Sequence, residues 1–320
     1  MRLRLAPLRS LALAGAVVTA GCAGAAPPPD AYDQLSAAIE TAWSPIQVNI
    51  GLSATTPGST FELDARNLAF VLDTAGARAG LHVSLPAADL GVPAGALDQL
   101  GIDGDSIDFD LVYAGDALYV RSPILRPTLR KILGPTGKLP AGDLGGWLKM
   151  GTKEELTALA ALGGSATGGL PSFAPPSAGA GSFRTSLEAA GIAIASAGTE
   201  KRNGADLLRL TFTVDTAKLA ADPTVRAGVG AGGQRDEAIA TVKDLAVSGD
   251  LWIDPATNHI VEMDSHITSA ANPADVGDVT VTVIPPDGTV PLDAPSSFVD
   301  VPLGPLLTEA MKLLGRGAES

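Results

Sequence analysis

Apolar and polar residues alternate with a period of two along most of this chain. In Ile107-Asp108-Phe109-Asp110-Leu111-Val112-Tyr113 the odd positions are apolar, the pattern of a strand with one face against a core. Leu118-Tyr119-Val120-Arg121 follows across Gly115-Asp116. Gly at the first loop position suits a two-residue type II′ turn, which sets Tyr113 opposite Leu118, Leu111 opposite Val120 and Asp110 opposite Arg121. Apolar then meets apolar and acid meets base, as a correct register requires. A second hairpin turns at Asn203-Gly204, a type I′ signal that sets Lys201 opposite Asp206. A third joins Leu251-Trp252-Ile253 to Ile260-Val261-Glu262-Met263, with Asn258 able to take the left-handed conformation. Val48/Ile50/Leu52, Leu68/Phe70/Leu72, Leu81/Val83/Leu85 and Val279/Val281/Val283 repeat the pattern. About nine or ten strands joined mostly by tight turns make an antiparallel sheet.

Helical spacing is rarer. Asp30 can cap a helix carrying Leu35, Ile39, Ala42 and Trp43. Thr152 and Glu155 form a capping box ahead of Leu156, Leu159 and Leu162. Leu306, Leu307, Ala310, Met311 and Leu314 give a last apolar face, closed by Gly315. Each face is narrow, so the helices are expected on one side of the sheet, an α+β layer fold. Residues 163–181 are rich in Gly, Ser, Ala and Pro and read as a mobile loop between two hairpin-rich halves.

The chain has 320 residues, aromatic residues make up 4% of it, and its formal net charge is −13. The core must therefore be mostly Leu, Val, Ile and Ala. An acidic balance argues against nucleic acid and against attraction to anionic headgroups, both of which need basic patches. Membrane contact has to come from an anchor or from apolar surface. The first residues supply a candidate: Arg2, Arg4 and Arg9 precede the apolar run Leu11 to Thr19, then Ala20-Gly21 and Cys22. That is the layout of an export signal, with an apolar run too short to span a bilayer. Val18-Thr19-Ala20-Gly21-Cys22 resembles a bacterial lipobox, with Thr19 where Leu is usual. The resemblance implies removal of residues 1–21 and attachment of fatty acyl chains such as palmitate to Cys22, the only cysteine in the chain. Two or three such chains hold a protein on a bilayer where one does not. Residues 22–29, with three consecutive prolines, then read as a tether. Residues 30–315 form a single folded unit and 316–320 a tail.

Reactive chemistry is sparse. His82, His259 and His266 have no cysteine near them and no zinc spacing. Asp103, Asp105, Asp108 and Asp110 lack the glycine and register of a calcium loop, and alternation explains the last two as a polar strand face. Ser165 has no G-x-S-x-G around it, and no phosphate-cradling glycine motif follows a strand. Paired glycosidase carboxylates need no local motif and stay open. No catalytic residue, metal or cofactor is expected.

The run Gly249-Asp250-Leu251-Trp252-Ile253-Asp254-Pro255-Ala256-Thr257-Asn258-His259-Ile260-Val261 resembles a hairpin of LolA-like lipoproteins. Gly115-Asp116-Ala117-Leu118-Tyr119-Val120-Arg121-Ser122-Pro123 and Gly145-Gly146-Trp147-Leu148 resemble further pieces of the actinobacterial LppX/LprAFG group. The resemblance covers most of residues 30 to 300. It implies a strongly curved antiparallel half-barrel with helices on its concave face and an apolar cavity between. Relatives carry acylated glycolipids or triacylglycerols in that cavity, and an envelope transporter is a conceivable partner. The greater length and the 163–181 loop depart from the pattern. Phe70, Leu72, Leu81, Phe109, Leu118, Phe212 and Ile253 are core residues first and cavity lining only if the helices stand off. The expectation is a non-enzymatic, membrane-anchored carrier or chaperone of acylated lipid outside the cytoplasm. A scaffold or signalling module with a filled core is the alternative, ahead of an envelope hydrolase.

Overall fold

The structure is a computed structural model that describes residues 30–41, 44–87, 95, 97, 105–125, 146–155, 180–222, 226 and 233–301. Residues 1–29 with Cys22, Ala42 and Trp43, Asp103, the apolar positions expected after Glu155, residues 163–179 of the expected loop, the helix expected over 306–314 and the expected tail lie outside the described residues.

The N-terminal half begins with α1 (Ala31–Glu40) and continues with β1 (Ile46–Thr56), β2 (Ser59–Leu63), β3 (Leu68–Asp73), β4 (Arg78–Pro86), β5 (Ser106–Ala114), β6 (Ala117–Arg121) and β7 (Leu148–Thr152). The C-terminal half contains α2 (Ala180–Ala189), β8 (Ile192–Arg202), β9 (Ala205–Val214), α3 (Thr216–Ala221), α4 (Gly233–Lys243), β10 (Leu245–Asp254), β11 (His259–Ser269), β12 (Val276–Ile284) and β13 (Val299–Asp300). All strands join one thirteen-stranded sheet in the order β13-β7-β6-β5-β4-β3-β1-β12-β11-β10-β9-β8, with β2 beside β1. The sheet is curved and open, since β13 and β8 end it. Every pairing is antiparallel except the short β13–β7 contact. The count exceeds the nine or ten expected because β2, β7 and β13 are short and carry little alternation of their own.

Each half is a meander, and the two meet where β1 pairs β12 from Gln47↔Ile284 to Thr55↔Val276. The registers carry one apolar face across the junction. Leu210 faces Leu251, Leu251 faces Met263, Met263 faces Val281 and Val281 faces Ile50. Val48 continues the row into Phe70, Phe70 into Leu81, Leu81 into Leu111 and Leu111 into Val120. The opposite face buries Ala69, Val71, Val112 and Tyr119 and also carries polar partners: Asp110 takes Arg121 at 2.9 and 2.6 Å and His82 at 2.8 Å. Asp108 accepts from Ser84 at 2.6 Å and Ser106 at 3.2 Å. These aspartates thus serve strand pairing, and no group able to hold a metal ion occurs among the described residues.

Asp30 caps α1 by accepting from the Tyr32 amide at 2.9 Å. Thr152 and Glu155 form their reciprocal box at 2.7 and 3.4 Å. The Asn203-Gly204 turn has φ of 52° and 85° and sets Lys201 opposite Asp206. The Gly115-Asp116 turn keeps the expected register, but its φ values of 57° and 58° make it type I′, not type II′. Asp116 takes the left-handed conformation that type II′ would have spared it; there its carbonyl accepts from the Lys153 amide at 2.9 Å and its carboxylate from the Tyr113 hydroxyl at 3.1 Å. Asn258 is left-handed at φ 59° as expected. The 163–181 loop reading runs too far, since Ala180 and Gly181 already belong to α2.

After β12 the chain crosses the polar face as a strap. Gln47, 1% exposed, accepts from the Asp287 amide at 3.1 Å and donates to Thr289 at 3.2 Å. Val290 buries against Ala69 and Val71, Asp293 pairs with Arg78, and Phe298 meets Tyr119 edge-on at 5.3 Å. A Cβ on Gly80 would stand 2.0 Å from the Pro291 carbonyl oxygen. Gly80→Ala is therefore expected to lift the strap and cost about 1–3 kcal/mol, seen as a lower urea midpoint. An unchanged midpoint would show that the crossing is not close.

Candidate functional site, an apolar recess under two helices

The apolar face is roofed at the β8–β11 end by α1 and α2. Asp30 starts α1 and also pairs with Arg184 of α2, whose guanidinium lies 4.5 Å over the Tyr32 ring. The Tyr32 hydroxyl in turn accepts from the Ile194 amide at 3.3 Å and donates to the Ile192 carbonyl at 3.4 Å. One cluster of side chains thereby fixes both helices to β8.

Beneath them Ala31, Leu35 and Ala38 of α1 close onto Leu210 and Ile253, with Ile39, Phe183 and Leu208 packed around them. Beside this cluster, and sharing Leu35, Leu187, Ile194, Leu210 and Leu251 with it, is a recess of about 220 Å³. Leu35 and Leu187 form its roof; Ile192 and Ile194 of β8, Leu210, Phe212 and Val214 of β9, Leu251 and Met263 form its walls and floor. Thr211 also borders it. No charged side chain lines the space, so it offers dispersion and dehydration and no directional contact. It falls below the roughly 300–1,000 Å³ of pockets for drug-sized ligands, so it has room only for a small apolar group.

The seven residues singled out from the sequence lie on one face and divide by position. Phe212 borders the recess. Ile253, 1% exposed, belongs to the closed core. Phe70, Leu72, Leu81, Phe109 and Leu118 are half-buried on β3 to β6, across the junction from the recess. Leu187, Ile192 and Ile194 escaped sequence reading. They sit among Ala, Ser and Gly, where two apolar residues four apart in α2 and two in β8 make no pattern.

The outer face behind this site is ionic. Arg202 covers Trp252 at 3.8 Å and pairs with Glu262 at 2.6 Å and Asp264 at 3.1 Å. Arg209 pairs with Asp250 at 2.8 Å and Glu200 at 3.3 Å. Burial first pushes the Glu262 carboxyl up, and Arg202 opposes that. These groups pair with one another, though Asp264 Oδ1 is left without a hydrogen-bond partner.

No family model matches the chain, and no curated protein matches it. Solved structures similar to it include lipoprotein LppX of Mycobacterium tuberculosis, 13% identical, covering 83% of this chain and 96% of that one at a TM-score of 0.33. LprF from Mycobacterium bovis is 12% identical, with coverages of 86% and 98% and a TM-score of 0.32. A putative outer membrane lipoprotein-sorting protein domain from Vibrio parahaemolyticus is 9% identical, with coverages of 88% and 97% and a TM-score of 0.23.

The helix clasp has a defined acid response. The Tyr32 amide, then Arg184, hold the Asp30 carboxyl below its usual 3.8. A depressed carboxyl contributes its full stability above the unfolded value and loses it as pH falls from there through the folded value. The clasp should therefore be unchanged between pH 7 and 5 and weaken only below 3.8. Asp30→Asn should flatten that acid limb of the unfolding midpoint; an equally steep limb in the variant would assign it to other groups.

Proposed function

We propose that this protein is a membrane-anchored carrier or chaperone of acylated lipid in the bacterial cell envelope, tethered through Cys22 after removal of residues 1–21. The recess lined by hydrocarbon beneath α1 and α2 supports this reading. An acyl tail asks of a site only that it exclude water, at about 0.8 kcal/mol per sheltered methylene. The resemblance of residues 249–261 to a hairpin of LolA-like lipoproteins agrees with it. Phe70, Leu72, Leu81, Phe109 and Leu118, on the continuation of the same face, would receive further chains, and Phe212 would touch the tail in the recess. An envelope transporter would be the partner that receives or supplies the lipid.

A second reading, a scaffold with a filled interior, draws on the closed packing of α1 against Leu210 and Ile253. Full-length protein carrying Cys22→Ser, expressed in a native-like host and extracted into organic solvent, separates the two by mass spectrometry. Stoichiometric acyl lipid is expected, with Leu187→Glu reducing it at least tenfold; extracts empty of lipid would favour the scaffold.

Anchoring has its own measurement. Cys22→Ser should leave the membrane fraction, as processed soluble protein or as an unprocessed precursor. If the variant withstands carbonate washing as well as the parent, lipidation at Cys22 is not what holds the protein.

A further inference from the structure

Gly249 stands in the middle of β10 with ordinary extended backbone, so its lack of a side chain serves space, not conformation. A Cβ placed there would fall 2.6 and 2.7 Å from Cζ and Cε1 of Phe212, and 2.1 Å from the Asp264 carbonyl oxygen. The two residues are register partners on adjacent strands. The Phe212 ring therefore lies across β10, in the room a side chain at 249 would take. On the far side of Gly249 the register partner is Ser265, another small residue, in a row that otherwise holds Ile194, Phe212, Val279 and Leu52. Phe212 is also the largest side chain bordering the recess. With its ring down the space under Leu187 stays open; turned toward the helices, the ring would occupy that space.

The geometry points to Phe212 as the residue that sets how much of an acyl chain the recess accepts, with Gly249 as the positioning residue that keeps its ring down. The inference rests on the lipid-carrier reading and adds a determinant of chain length. Gly249 acts through Phe212 and does not touch the ligand.

The test uses full-length protein with Cys22→Ser in every arm and a ladder of straight-chain saturated fatty acids competing with a fluorescent fatty acid. Each sheltered methylene should tighten Kd about fourfold until the recess is full, beyond which Kd levels off. Phe212→Ala should move that plateau to longer chains and Phe212→Trp to shorter ones. Gly249→Ala should shorten it, and adding Phe212→Ala to Gly249→Ala should restore it. Should Gly249→Ala fail to fold, the two Phe212 variants decide alone. A purely structural Phe212 would lower stability and overall affinity yet leave the plateau in place, and an unmoved plateau in both variants overturns the inference while sparing the carrier reading. A parent that takes up no fatty acid of any length removes both.

Discussion

One constraint governs this molecule: a single apolar face has to stay continuous from β8 to β6 across the seam where β1 meets β12. Side chains on a strand alternate with a period of two, so a slip of one residue in any pairing would turn a whole strand inside out. At the β8–β11 end the cost would be Leu and Ile presented to water and Arg, Glu and Asp pressed under the helices. The polar face makes such a slip costlier still. Asp110 with Arg121 and His82, and Arg209 with Asp250, pair across strands only in the native register. Hydrophobic burial supplies the drive, and the ionic face supplies the choice among registers.

The recess follows from the same face. An apolar sheet surface is covered wherever helices have enough greasy side chains to reach it. α1 has them along Ala31, Leu35 and Ala38 and closes tightly. α2 offers mainly Phe183 and Leu187 among small and polar residues, so the two helices together cannot fill the area they roof. A deficit of side-chain volume, not a special motif, makes the space.

This explains what could be read from the chain alone. Hairpin registers at 113/118 and 201/206, the joining of 251–253 to 260–263, the cap at Asp30 and the box at Thr152 were legible because each is decided by neighbours in sequence. The pairing of β1 with β12, the strap over Gly80 and the helix at Ala180 were not, because each depends on distant partners. Asp116 shows the limit even locally: Gly at the first loop position suited type II′, and the turn formed is type I′ with Asp116 left-handed. At the site, alternation placed Phe212 and Ile253 on the right face yet could not tell them apart. One borders open space and the other is sealed, and only the position of α1 decides which.

The seam between the halves also orders events in time. Gln47 lies opposite Ile284, so the central strand of the finished sheet is made early and finds its neighbour only after nearly the whole chain exists. Loop closure over such a span is slow compared with hairpin formation. Until then β1 has only β2 and β3 beside it, and its other edge offers free amides and carbonyls to any passing strand. Folding of this protein is thus a problem of guarding an unfinished middle, whereas most sheets need protection at their rims.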